Sequence, residues 1–196
     1  MKAFYFIVIG LAIFLLFSGI STNNRLVEQE EAVNSAWAQV ENQYQRRADL
    51  IPNLVNTVKG AADFEQETLT DVIEARSKAT SVQINADDLN NPQKFAQFQQ
   101  AQSQLSGALS RLLVTVERYP ELKANQNFRD LQTQLEGTEN RIATERKRFN
   151  DIARNYNTSV RKFPASIFAN ILGFEQKAYF QADAGAEDAP TVDFGN

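Results

Sequence analysis

Histidine and cysteine are both absent from this chain of 196 residues. Their absence removes the commonest general base, thiol nucleophiles, disulfides, structural zinc and the Glu-x-x-His di-iron pattern. It also removes lipid attachment through sulfur, and it leaves the compartment open, because a chain without thiols tolerates oxidising and reducing surroundings alike. An excess of positive charge is missing too: 20 Lys and Arg stand against 24 Asp and Glu, a net charge of −4. No overall field draws in phosphates, so no nucleic acid partner is expected. Neither a Gly-rich phosphate loop nor a Gly-x-Ser-x-Gly elbow occurs, which leaves nucleotide use and serine hydrolysis without a starting point. Asn85, Asp87 and Asp88 look like the opening of a calcium loop, yet the glycine and the later bidentate glutamate of such a loop are lacking. Carboxylates such as Glu65, Glu67, Glu117 and Glu121 sit at helix spacing, which is the pattern of solvated faces. The expectation is a protein that is not an enzyme and uses no metal and no cofactor.

What is present is a globular balance of 43% hydrophobic and 22% charged residues, enough for a real core. Phe4 to Ile20 is an uncharged apolar run broken only by Gly10, Ser18 and Gly19, and it follows Lys2. At about 1.5 Å per helical residue it covers about 25 Å, a tight span of a hydrocarbon core of about 30 Å if Thr22 and Asn23 lie in the interface. Gly19-Ile20-Ser21 fits the small-x-small pattern of a signal peptidase site. Gly10, however, is the only helix-weakening residue before Ser18, and an uncleaved transmembrane anchor over 4–22 is expected, with 1–3 as a short cytoplasmic end. Lys2 and the α-amino group precede the span, while Arg25 follows it among Glu28, Glu30, Glu31 and Glu41. Positive residues stay on the cytoplasmic side, so the body is expected in the periplasm, on a single-pass protein of the inner membrane. At the other end, 181–196 is acidic, without Lys or Arg, and reads as a disordered tail. Pro190, Val192 and Phe194 leave a partner-docking peptide open there.

Between these ends apolar residues recur at alternating spacings of three and four, nothing alternates with period two, and prolines divide the stretch. Leu26, Val33, Trp37, Val40 and Tyr44 form the stripe of a first helix from about Asn24 to Ala48. Pro52 ends or kinks it, and Asp49 can cap a second helix that carries Leu54, Val58, Ala62, Leu69, Val72 and Ile73 to near Gln83. Asn91-Pro92 starts a third, with Phe95, Phe98, Leu105, Leu109, Leu112 and Val116 inside and Pro120 as its stop. Asn125 or Asn127 caps a fourth, with Phe128, Leu131, Leu135, Ile142, Phe149, Ile152, Tyr156 and Val160 inside and Pro164 as its end. The fold class is all-α: an antiparallel up-and-down four-helix bundle over 24–163, preceded by one N-terminal transmembrane helix. Because the stripe stays in phase across Pro52, three helices with one long kinked member remain the alternative. Residues 164–180 follow as a short apolar helix at the bundle base.

The stretch Asn42-Gln-Tyr-Gln-Arg-Arg-Ala-Asp-Leu-Ile-Pro-Asn-Leu-Val-Asn-Thr-Val-Lys59, preceded by Ala36-Trp37, resembles the central motif of the LemA family. Tyr119-Pro-Glu-Leu-Lys-Ala-Asn125, Phe128, Leu131, Glu139-Asn-Arg-Ile142-Ala, Arg148-Phe-Asn150, Tyr156-Asn157 and Phe163-Pro164 agree as well, so the resemblance covers nearly all of 23–180. It implies a single-pass, membrane-anchored helical bundle of the bacterial envelope, and it implies no reaction. Many relatives carry a lipobox cysteine before the bundle, where Ile20 stands near that place here, so a helix would replace the lipid as anchor.

Two clusters are candidate interaction sites. In Arg46-Arg47-Ala-Asp49-Leu-Ile-Pro52-Asn53, two guanidiniums, a carboxylate and an amide crowd one place. Arg46, Arg47, Asp49 and Asn53 are either a binding face for carboxylate or phosphate, or a structural corner with arginine pairing to Glu41 or the fourth helix. Arg141, Arg146, Lys147, Arg148, Arg154, Arg161 and Lys162 make the fourth helix basic, while 21–83 holds ten acids and six bases. That contrast selects topology between packed helices, or it serves anionic lipid or an acidic partner. In an up-down bundle Arg161 and Lys162 arrive at headgroup level, just before Ile167 and Phe168 of the apolar segment Pro164–Phe174. The segment then touches lipid or packs back on the base. The expected role is a scaffold that binds other envelope or membrane proteins, with membrane lipid as the alternative partner and a homo-oligomer left open.

Overall fold

A computed structural model describes residues 2–60 and 64–181, with side chains from Phe4 onward. Among the described residues every regular element is a helix: α1 Lys2–Lys59, α2 Gln66–Ser81, α3 Pro92–Val116, α4 Pro120–Ala124, α5 Gln126–Arg161 and α6 Ala165–Leu172, with a 3-10 turn at Ala86–Asn90. The tail 182–196, with Phe194, lies outside the described residues.

Local chemistry explains most boundaries. The Asn91 side chain accepts hydrogen bonds from the Gln93 and Lys94 amides, both at 3.1 Å, with Pro92 in the first turn of α3. Asn125 caps α5 by accepting from the Phe128 amide at 3.2 Å. These caps occupy donors that helix starts leave unpaired. Gly173 ends α6 at φ +80, in the left-handed region that glycine enters without strain.

The expected break at Pro52 does not occur. Pro52 lies inside α1, and Asp49 is no cap: its Oδ1 accepts from Gln45 Nε2 at 2.8 Å, one turn back in the same helix. Proline costs a helix the bond to the carbonyl four residues earlier. Here that carbonyl, Ala48 O, accepts from Arg76 Nε of α2 at 2.8 Å. A side chain from the neighbouring helix thus replaces the missing donor, and α1 continues to Lys59. The two other prolines expected to end helices stand a few residues beyond the ends of theirs. α3 stops at Val116, so that Pro120 opens α4, and α5 stops at Arg161, so that Pro164 precedes α6.

The buried residues form two clusters stacked along α1. The distal one is mainly aliphatic, built from Leu54 and Val58 of α1, Leu69 and Val72 of α2, Leu112 of α3 and Leu135 of α5, with Phe128 as its buried aromatic ring. The proximal one is aromatic and surrounds Trp37 with Phe95, Phe98, Phe149, Tyr156 and Phe180. α5 runs antiparallel to α1, since its Phe128–Leu135 end shares the distal cluster and its Ile142–Val160 end the proximal one. α2 is too short to reach the proximal cluster. There its place is taken by the 3-10 turn, by α6 and by residues 174–181, which are not helical. The short apolar helix expected over 164–180 is therefore confined to Ala165–Leu172.

Candidate functional site

The Arg46–Asn53 cluster is divided by helical geometry. Arg46, Asp49 and Asn53 lie on one exposed side of α1, and Arg47 turns inward and is 1% exposed. Its Nη1 donates to Ser106 Oγ at 2.7 Å and to Glu139 Oε1 of α5 at 2.8 Å, while Nη2 donates to Gln102 Oε1 at 2.6 Å. Its guanidinium also lies 5.1 Å from the centre of the Tyr44 ring. A buried charge needs such partners, because removing it from water costs several kcal/mol; Nε is the one buried nitrogen of the guanidinium left without one. Arg47 thus forms a polar layer between the two cores, tying α1 to α3 and α5. A cavity of about 40 Å³ lined by Tyr44, Ser103 and Arg146 adjoins this layer and has room for about one water. Arg46, Asp49 and Asn53 remain together as one exposed face of α1.

The basic residues of α5 do not meet the acids of the first two helices in the way their charge contrast suggests. Arg148 and Arg154 pair within α5, with Glu145 at 3.9 Å and Asp151 at 3.2 Å. Arg141, Lys147, Arg161 and Lys162 are exposed, and Arg146 turns toward the C-terminal segment. Near the calcium-loop residues, Asp88 closes the 3-10 turn. Its carboxylate accepts from Lys94 Nζ at 2.6 Å and from the Asn85 amide at 3.2 Å. Lys94 first, and then the Asn85 amide, hold this carboxyl below its usual range. Among the described residues no cluster of carboxylates is placed to hold a metal ion.

The most organised feature was not anticipated from the sequence. Residues 174–181 are clamped by three side-chain amides, each of which holds both backbone groups of one residue. Asn157 accepts from the Lys177 N–H and donates to the Lys177 carbonyl, both at 2.8 Å. Asn150 does the same for Phe180, both at 2.9 Å. Gln99 of α3 holds Gln181 at 3.2 and 2.8 Å, and Arg146 also donates to the Gln181 carbonyl at 3.2 Å. Asn150 and Asn157 are two helical turns apart, about 10.5 Å. Lys177 and Phe180 match that distance over three residues, which is the rise of extended chain, about 3.3 Å per residue. Phe180 enters the ring cluster around Trp37, whose indole N–H donates to Ile84 O at 3.1 Å. Lys177 is buried against the Tyr156 ring and pairs with Glu30 at 2.7 Å. Burial, and after it the Glu30 carboxylate, pushes the Tyr156 hydroxyl well above the ordinary tyrosine range. A sequence signal for this clamp existed: amides at two positions on the interior stripe of α5.

At the base, α6 sits against α1. Ala165 and Ala169 are buried, and Phe168 Cε1 comes to 3.0 Å from where a side chain on Gly19 would begin, so a larger residue there would push the ring back by a few tenths of an ångström. Ile167 is half exposed, and Arg161 and Lys162 are open to solvent. Beyond this contact the N-terminal part of α1 stands clear of the body. Its most apolar window has a mean hydropathy of 2.4, none of it is buried in the protein, and the helix is long and apolar enough to cross a membrane.

The family model described as the LemA family matches residues 36–194. A protein of Metamycoplasma hominis named Protein LemA is 24% identical over 179 residues, which covers 91% of this chain and 76% of that protein.

Proposed function

This chain belongs to the LemA family, and on that premise we propose that it is a membrane-anchored, non-enzymatic scaffold of the bacterial envelope that binds other proteins. The observation that carries this reading is the continuity of α1. One helix passes from an apolar stretch that no part of the body covers into the centre of both cores, without a linker at the junction. Such a helix transmits position: whatever docks on the body is held at a set height and attitude above the bilayer. In this reading the N-terminus is cytoplasmic, the four-helix bundle stands in the periplasm, and the exposed Arg46, Asp49 and Asn53 offer a charged face to a partner. The basic face of α5 is complementary to an acidic protein or to anionic headgroups.

The test has two parts in living cells. Alkaline phosphatase fused after Asn196 is expected to be active, and an inactive fusion that regains activity when moved before Lys2 would reverse the orientation. A photo-crosslinking residue in place of Asn53 is expected to capture a defined envelope protein, and Arg46→Glu to abolish the capture. The same crosslinks with and without Arg46→Glu would count against this face.

A further inference from the structure

We propose that α6 is a second membrane contact, an interfacial helix whose outer face lies in the bilayer surface beside the point where α1 leaves it. This rests on the reading of α1 as the anchor and adds a partner, phospholipid, for a different element. Depth is the first argument. α6 touches α1 through Phe168 and Gly19, and Gly19 belongs to the last turn of the uncharged run that ends at Ile20. If that run spans the hydrocarbon, α6 is held at its edge, where headgroups begin.

The second argument is the two-sidedness of α6. Ala165 and Ala169 face the core, while Ile171 is 75% and Leu172 49% exposed, joined by Ile167 and by Phe163 at 81%. No residue of Ala165–Leu172 carries a charge. Ile167 and Ile171 on the outer face, with Phe163 and Leu172 exposed at the two ends of the helix, would be costly in water. A helix of eight residues is about 12 Å long, far too short to cross, so the arrangement that covers this face with lipid lays it flat. The third argument selects lipid over protein as the occupant. Phe17 and Ile20, which flank the Gly19 contact along α1, are exposed as well, so the apolar medium that covers this end of α1 lies at the depth of α6. Arg161 and Lys162 stand exposed just before it, at the height of anionic phosphates. After α6, Gly173 turns the chain away, and the Asn157 clamp on Lys177 leads it back along the body. A single transmembrane helix leaves its cargo free to spin about the helix axis. A second contact beside it removes that freedom, which gives the body a fixed face toward the membrane and a fixed face away.

The absence of cysteine makes the test direct. Full-length chain carrying one cysteine in place of Leu11, Ile171 or Glu136 is labelled with an environment-sensitive fluorophore. It is then reconstituted in phosphatidylcholine–phosphatidylglycerol vesicles that contain spin-labelled lipids. Loss of fluorescence at Leu11 and Ile171, with none at Glu136, is the expected result. Loss at Leu11 alone overturns the interfacial contact and leaves the anchor standing. Loss at neither position overturns the anchor and the contact together. If Ile171 is shielded from aqueous iodide but unaffected by the lipid quencher, a protein covers the face, whether a second copy or another chain, and the proposal fails.

Discussion

The two ends of the helical body reach closure by different means. Distally, α1, α2, α3 and α5 supply mainly aliphatic side chains at helical spacing, with Phe128 among them, and Leu122 of α4 completes the core. Proximally, α2 has already ended, and the gap is filled by a turn, by α6 and by an extended segment whose backbone bonds mainly to amide side chains, with a backbone bond from the Ala178 N–H to Leu89 O at 2.8 Å. Buried backbone groups need partners wherever they lie. The distal end meets that need mostly within its helices, with Arg76 serving Ala48 O and Gln102 serving Ala79 O from neighbouring helices, and the extended segment of the proximal end meets it mainly through Gln99, Asn150 and Asn157. The consequence is a difference in tolerance. Side chains of the distal core are replaceable by others of similar volume, whereas the proximal end depends on particular atoms at particular positions.

The largest expected effect lies at the proximal end. Trp37→Ala removes contacts with Phe95, Phe98, Phe149 and Phe180 together with the bond to Ile84 O, and it should cost roughly 3 to 5 kcal/mol in denaturant titrations of the full chain in detergent. Leu112→Ala in the distal core should cost roughly 2 to 4 kcal/mol, but without loosening Phe180. Equal loosening of Phe180 by both substitutions would erase the distinction between the ends.

Next comes the layer between the cores. Arg47→Ala strands the Gln102 amide oxygen and Glu139, with an expected loss of roughly 2 to 3 kcal/mol in the same titration. Glu139 is partly exposed, so Glu139→Gln should cost only about 1 kcal/mol. Asn157→Ala, which removes two bonds to Lys177, should cost roughly 1 to 3 kcal/mol, where a solvent-facing asparagine such as Asn53 should cost less than about 0.5 kcal/mol when replaced.

The smallest effect sharpens the comparison from the distal side. Proline inside a helix ordinarily costs about 3 kcal/mol, yet Pro52→Ala should change stability by less than about 1 kcal/mol, because Arg76 already serves Ala48 O. In a double-mutant cycle, Arg76→Ala should cost more in the parent chain than in a chain that already carries Pro52→Ala. Additive losses would show that the guanidinium does not replace the missing amide.

The same contrast explains what could be read in advance. Helix starts at Asn91 and Asn125, most of the interior stripes and the apolar N-terminal run follow from short-range rules, and the structure shows them, except that Ile73, expected inside, is 44% exposed and Ala62 lies outside the described residues. Pro52 misled because its compensation comes from Arg76, which lies 28 residues beyond Ala48 and is visible only once α2 is packed. The clamp stayed hidden for a related reason. Apolar periodicity marks what is buried, and Asn157 and Asn150 look like interruptions in that pattern until their partners, 20 and 30 residues downstream, are in place. Of the site candidates, local spacing placed Arg46, Asp49 and Asn53 together. It did not tell Arg47 apart from Arg46, since that difference depends on which side of α1 receives Gln102 and Glu139.

That an extended segment, and not a helix, completes the proximal end is tested most directly by amide hydrogen exchange at Lys177 and Phe180 in the full-length protein. Both N–H groups are bonded to side-chain amides, so both should exchange far more slowly than free peptide, and Asn157→Ala should release Lys177 before Phe180. Exchange of both at the rate of unstructured chain, with the ring cluster around Trp37 still folded, would contradict the account.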